Sequence, residues 1–382
     1  MIDRSVNTPG LPERYLVGPL AAVLALVLAS CSTAQPSPSR SSGATSTPSG
    51  PAVAQASNPP PANTTGSTFD ATRAAQVLGP SVGLIIATGN GSRGGTAEGS
   101  GFAFSAQSGT SYMLTNNHVI SGASRVQIVM PDGRHFVATV QGADQLNDVA
   151  VLKVTDNLPV AQFADSTKLQ VGQPVVAIGS PLGSQGFGSV TTGVVSALHR
   201  TLTGVGGGSG TSPENLADVL QTDAAINQGN SGGPLGDNNG RVVGMNTASS
   251  TNATGIGFAI PSAILQRVAQ ALVQRKTPGH AYVGICTQSV EDALASGQDV
   301  NGYGVVVQKT LPGTPAEKAG LQGGDVIEKV DTTDLNNGQT LGGVLQLHNP
   351  GDTVKIIALR GGNSVNLSVA LGDKPAIGAS GC

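Results

Sequence analysis

The sequence predicts a mainly β fold, built as barrels or a sandwich and followed by a second, smaller domain. Short apolar runs recur between clusters of Gly, Asp and Asn, the pattern of strands joined by tight turns. Charged residues make up only 11% of the chain, against 54 Gly and no Trp, a balance that disfavours long amphipathic helices. The 382 residues exceed what one core usually organises, which points to two ordered domains plus non-globular segments. A net charge of -3 without a basic block lacks the electrostatic footprint of a nucleic-acid binder, so nucleic acid is excluded as a partner.

The chain opens with Arg4 and Arg14, an apolar run from Leu16 to Leu28, and then Ala29-Ser30-Cys31. This has the form of a secretory signal, and the run is too short to span a bilayer comfortably. Small residues leading to a Cys resemble a bacterial lipoprotein signal, which implies that Cys31 is the lipidated new N-terminus of an exported protein held on the extracytoplasmic side of the cell membrane. An ordinary cleaved signal with an incidental Cys is the other reading. Residues 32–68 are Ser, Thr, Pro, Ala and Gly with almost no large apolar side chain, and such a segment cannot offset its ordering entropy by burial. It is expected to be a disordered tether.

Strands are predicted at Val82–Ala87, Gly101–Phe104, Tyr112–Thr115, Arg125–Met130, His135–Val140 and Val149–Val154, then at Val175–Gly179, Gly188–Leu198, Val219–Thr222 and Val242–Asn246. Asp132-Gly133 marks a hairpin, because Gly accepts the positive φ that a tight turn demands. One helix is expected over Ser262–Gln274, with Ile264, Leu265, Val268 and Leu272 on one stripe. It closes a first domain of residues 69–276. Thr277-Pro278-Gly279 breaks the chain before a second domain over 280–373 and a flexible tail over 374–382. In an oxidising compartment Cys286 and Cys382 could pair or stay free, and their spacing reads as no metal site. No metal or cofactor motif is found.

Three segments carry candidate chemistry: LTNNHV with His118, NDVAVLKV with Asp148, and QTDAAINQGNSGGPL with Ser231. A serine hydroxyl is a weak nucleophile that needs an imidazole to take its proton, and a buried carboxylate fixes that imidazole's tautomer. The glycines around Ser231 let the backbone bend sharply and approach a substrate. GNSGG also fits the G-x-S-x-G elbow of α/β-hydrolases, but that fold orders its triad Ser, Asp, His, whereas here His and Asp precede Ser.

Together these segments resemble the chymotrypsin-like serine proteases, specifically the HtrA family of envelope proteases, over residues 80 to 373. EGSGFAF, GSPLG, VTTGVVSAL and GIGFAIP extend the resemblance in family order. It implies a double β-barrel with His118 as general base, Asp148 as orienting carboxylate and Ser231 as nucleophile, and the N–H groups of Gly229 and Ser231 as the oxyanion hole. Ala225, six residues before Ser231, resembles the floor of the primary specificity pocket, with Ile226 beside it. Without a carboxylate there, cleavage after small or medium apolar residues is expected.

From Tyr282 the chain resembles the family's PDZ domains, small α+β modules, through YVGI, GTPAEKAGLQGGDVIEKVD and NPGDTVKIIALRGG. This implies that Tyr282, Val283, Gly284 and Ile285 form a loop receiving the carboxylate of a C-terminal peptide. The implied function is endopeptidase cleavage of unfolded or misfolded envelope proteins, regulated by peptide capture; the aromatic residues that help trimerise many members are hard to place here, which leaves a homotrimer as one open assembly. Gln228 and the Gly-rich stretch Gly204–Gly210 depart from the family pattern near loops that govern the oxyanion hole. They sustain a second reading, a PDZ-containing holdase or scaffold whose protease domain rests largely inactive.

Overall fold

A computed structural model describes residues 69–89, 95–181, 183–205, 214–249, 255–336 and 340–375. The signal-like segment with Cys31, the tether, residues 206–210 of the Gly-rich stretch and Cys382 lie outside them. After helix α1 (Ala71–Leu78) come six strands, β1 (Val82–Gly89), β2 (Thr96–Gln107), β3 (Thr110–Thr115), β4 (Ala123–Val129), β5 (His135–Asp144) and β6 (Val149–Val154), which close into a barrel in the order β1-β2-β3-β6-β5-β4. A single-turn helix, α2 (Asn117–Ile120), follows β3. The second barrel takes β7 (Pro174–Gly179), β8 (Ser189–Val205), β9 (Glu214–Thr222), β10 (Pro234–Gly236), β11 (Val242–Ser249) and β12 (Gly257–Pro261), in the order β10-β11-β12-β9-β8-β7. Closure removes the exposed edges that open sheets must protect.

The predicted hairpin at Asp132-Gly133 joins β4 to β5, with Gly133 at φ +84° and its N–H donating to Met130 O at 3.0 Å. Helix α3 (Ser262–Val273) follows β12 directly, and the stripe read from the sequence is its buried face: Ile264, Leu265, Val268 and Leu272 are at most 3% exposed. They join one apolar core with Phe102, Leu114 and Val149 of the first barrel and Val176, Ile178 and Met245 of the second. Each such side chain contributes about 1.5–3 kcal/mol on burial, so this helix fixes the seam between the barrels. Gly142 of β5 leaves it room, since a Cβ there would sit 3.0 Å from Leu272.

The C-terminal module contains β13 (Ala281–Tyr282), β14 (Ile285–Ser289), β15 (Val305–Thr310), β16 (Val326–Val330), β17 (Thr333–Asp334), β18 (Thr353–Arg360), β19 (Asn363–Ala370) and β20 (Gly372–Asp373), with helices α4 (Val290–Ala295), α5 (Pro315–Ala319) and α6 (Leu341–Leu345). Its main sheet runs β14-β15-β16-β18-β19, which leaves β14 on an edge. Pro315 opens α5 and Gly320, at φ +84°, ends it, as Pro at a helix start and Gly past its end should. Beyond that turn the buried Asp325 accepts from Arg360 Nε at 2.7 Å and Nη2 at 2.8 Å. This carboxylate raises the Arg360 pKa above the ordinary guanidinium value. Cys286, buried on β14, is disulfide-bonded; the pairing with Cys382 weighed from the sequence falls on a residue outside the described ones.

Candidate active site

His118, Asp148 and Ser231 sit at the seam of the barrels, outside their strands. His118 lies in α2, just past β3, and Asp148 occupies the turn before β6. Asp148 adopts φ +52°, a left-handed conformation that Asp tolerates better than most residues. The turn is laced to the His118 segment: the Asp148 carbonyl accepts from Asn116 Nδ2 at 3.0 Å and Asn117 N at 3.2 Å. Both asparagines of NNHV therefore hold the loop that presents the carboxylate.

The Asp148 carboxylate is fully buried and accepts three hydrogen bonds. They come from the His118 backbone N–H at 2.9 Å, the His118 ring Nδ1 at 2.8 Å, and the Thr247 hydroxyl of β11 at 2.8 Å. A buried carboxylate must find such donors or lose its charge. With Nδ1 committed as donor, the imidazole keeps its lone pair on Nε2, the form that can take a proton. The His118 side chain is 25% exposed, so the ring faces outward from a buried anchor.

Ser231 stands between β9 and β10, and its hydroxyl donates to the Thr247 carbonyl at 3.0 Å. Thr247 thus touches both the carboxylate and the serine. The Ser231 carbonyl accepts from Ser100 N at 2.8 Å, and the buried Ser100 hydroxyl donates to the Gly229 carbonyl at 2.6 Å while accepting from Ser180 N at 2.9 Å. Gly229 has φ +100°, and a Cβ on it would lie 2.3 Å from the Ser180 carbonyl oxygen. Only glycine fits there. The fold therefore pins the serine loop from the first barrel through Ser100 and from the second through Thr247. Neither residue was singled out from sequence; EGSGFAF marked Ser100's neighbourhood without giving it a role.

The pocket residues separate. Ala225 is exposed, and its carbonyl accepts from Thr191 Oγ1 at 3.0 Å and Asn230 Nδ2 at 3.2 Å. Ile226 points instead into the core of the second barrel, 5% exposed. Asp223, out of step with the pocket floor in the sequence, has its carboxylate bonded to Val194 N at 2.7 Å. Among the described residues no group of three or more His, Cys, Asp and Glu side chains converges.

In the C-terminal module, Gly284 has φ +83°, and a Cβ would lie 2.3 Å from the Thr314 side chain. Its carbonyl accepts from Leu311 N at 2.9 Å and Thr314 Oγ1 at 3.1 Å, which leads the chain from Tyr282 into β14 as a tight loop. Val283 is buried and its carbonyl accepts from Ala316 N at 2.8 Å. The loop lies at one end of a groove between β14 and α6, and Val283, Gly284, Ile285, Leu341 and Leu345 all line it.

Residues 99–245 match the model of a trypsin-like peptidase domain and residues 281–371 that of a PDZ domain. The chain is 39% identical over 292 residues to the serine protease Do-like HtrA of Lactococcus lactis subsp. cremoris, covering 72% of this chain and 71% of the relative. It is 36% identical over 293 residues to the serine protease Do-like HtrA of Bacillus subtilis, covering 73% and 64% respectively. Among solved structures, the HtrA-type protease AlgW with tripeptide superposes at a TM-score of 0.62 and 32% identity, over 80% of this chain and 98% of that one. A double barrel carrying a peptidase match, a PDZ module behind it, and relatives of this identity place the chain in the HtrA family of trypsin-like serine proteases.

Proposed function

We propose that this serine protease is an exported endopeptidase of the cell envelope that cleaves unfolded or misfolded proteins. Ser231 is the nucleophile, His118 the general base and Asp148 the carboxylate that holds it. The observation that carries this reading is the buried Asp148 carboxylate bonded to both the backbone and ring of His118. In the first step the Ser231 oxygen attacks the scissile carbonyl carbon while His118 Nε2 takes the hydroxyl proton. The N–H groups of Gly229 and Ser231 receive the developing oxyanion, and His118 gives its proton to the leaving amine. Water, deprotonated by the same imidazole, then releases the acyl group and restores Ser231.

Ala225 offers no charge to a substrate side chain, so the pocket takes small or medium apolar residues. Export of this chain is supported by its signal-like N-terminus, and Cys31 would carry the lipid that anchors it. The PDZ domain binds C-terminal peptide ends at Tyr282–Ile285 and regulates the protease, in a homotrimer. A second reading, a holdase or scaffold with a largely inactive resting protease, draws support from the Ser231 hydroxyl, which donates to the Thr247 carbonyl.

Digesting a reduced, unfolded test protein with the wild-type chain and with Ser231→Ala tests the proposal. Mass spectrometry should find cuts after Val and Ala in the wild type and none in the variant. Cuts confined to Lys and Arg would reject the pocket, and no cutting even with C-terminal peptides added would favour the holdase.

A further inference from the structure

The PDZ groove is not enclosed by the PDZ domain alone. A cavity of about 350 Å³ runs along it, and Leu146, Ala217 and Arg267 of the protease domain line it together with Gly284, Ile285 and Leu345. The two domains meet closely there: a Cβ on Gly343 of α6 would stand 3.1 Å from the Asp218 side chain of β9, and one on Gly342 would stand 3.4 Å from Ala217. The linker folds back to complete this wall. Arg267 of α3 donates from Nη1 to the Gly279 carbonyl at 2.8 Å, and His280 Nε2 lies 3.1 Å from the Asp144 carboxylate.

Two polar atoms on the lining residues lack partners. Arg267 Nε is buried without an acceptor, and Gln346 Oε1 is buried without a donor. Burial pushes the Arg267 pKa below the ordinary guanidinium value, with the Asp144 charge opposing, yet a guanidinium keeps its proton in any such site. Both atoms are shut away from solvent, so an occupant of the cavity meets the rest of the Arg267 side chain, whose charge lines it. A ligand with an anionic end, such as the carboxylate of a polypeptide, suits that lining. Lys374 lines the same cavity and adds positive charge, while Leu311, Leu341 and Leu345 offer an apolar seat for a terminal side chain.

We infer that Arg267, a residue of the protease domain, binds the terminal carboxylate of the peptide held in the PDZ groove, making the peptide site a composite of both domains. The inference rests on the reading of Tyr282–Ile285 as the peptide loop and adds a ligand from outside the PDZ domain. It also sets the occupant against Leu146, in the turn between Asp144 and Asp148. Asp144 holds that turn through Leu146 N at 3.2 Å and Asn147 Nδ2 at 2.8 Å.

The test uses the full chain carrying Ser231→Ala, to prevent cleavage, and a fluorescent decapeptide pool with nine randomised positions and a C-terminal Val, as free acid or amide. Fluorescence anisotropy should show the free acid bound more tightly than the amide. Adding Arg267→Met should weaken free-acid binding by about tenfold or more, the scale of one charge-assisted hydrogen bond, and leave amide binding unchanged. Arg267→Lys should recover part of the loss, a pattern that a general disturbance of domain packing would not give. Unchanged free-acid affinity in Arg267→Met, with binding abolished by Gly284→Trp, overturns the role of Arg267 and leaves the peptide loop standing. Equal loss of acid and amide also overturns it. No binding by the parent, or binding that survives Gly284→Trp, defeats the peptide-loop reading itself and this inference with it.

Discussion

Asp148→Asn is expected to lower kcat by about 10⁴-fold on a fluorogenic peptide with Val before the scissile bond, the scale this substitution has in a serine protease triad. Three donors converge on the carboxylate: the His118 backbone N–H, the His118 ring and the Thr247 hydroxyl. An Asn side chain has one acceptor oxygen and must turn its amide hydrogens towards one of these donors. The ring then loses the acceptor that fixes Nδ1 as its protonated nitrogen, and Nε2 no longer reliably carries the lone pair that takes the serine proton. KM should change little, since the carboxylate is buried and does not face a substrate. A fall in kcat of less than tenfold in a folded variant would remove Asp148 from the mechanism.

The second large effect is expected at Gly229. Its φ of +100° and the 2.3 Å approach of an added Cβ to the Ser180 carbonyl oxygen mean that Gly229→Ala cannot be accommodated without moving backbone. Movement breaks the 2.6 Å bond from Ser100 and misdirects the N–H groups assigned to the oxyanion. Loss of one oxyanion donor costs roughly 10²–10³ in kcat, and the strain itself about 1–3 kcal/mol of stability. Gly109→Ala is the control, because Gly109 also has positive φ, at +76°, but nothing lies within 4 Å of its added Cβ. Steady-state kinetics beside thermal melts should show backbone strain in both variants and the kinetic loss only at Gly229.

The strands were legible because alternation and turn chemistry are local. Val149–Val154 was read with its observed ends, and Asp132-Gly133 gave the β4–β5 hairpin. What was missed lacks a local signal. Helix α1 buries only Ala74 and Leu78, too few large apolar positions to mark a helical period, and β10 is three residues that begin at the Pro of GNSGGPL. The extension of β2 back to Thr96 runs through Glu98-Gly99, where composition alone favours a turn. GIGFAIP was noticed as a block but not read as β12.

The same division holds at the site. His118, Asp148 and Ser231 stand out in the sequence because their order and flanking residues match a family pattern. Ser100 and Thr247 were not, because their roles arise only on folding: Ser100 meets Gly229 across 129 positions and Thr247 meets Asp148 across 99. Arg267 reads in sequence as one polar position of an amphipathic helix. Its place in the lining of the cavity beside β14 and α6 arises only on folding, where the linker brings Gly279 back against α3.

The most direct test of the central claim, that His118 activates Ser231, is covalent labelling with a fluorophosphonate. Such a probe loses fluoride as an activated serine oxygen forms the P–O bond, and ordinary serines do not react. One adduct is expected, on the peptide bearing Ser231, with proteolysis lost in proportion and labelling suppressed in Asp148→Asn. Full proteolysis with Ser231 unlabelled, or labelling that is unaffected by Asp148→Asn, would contradict it.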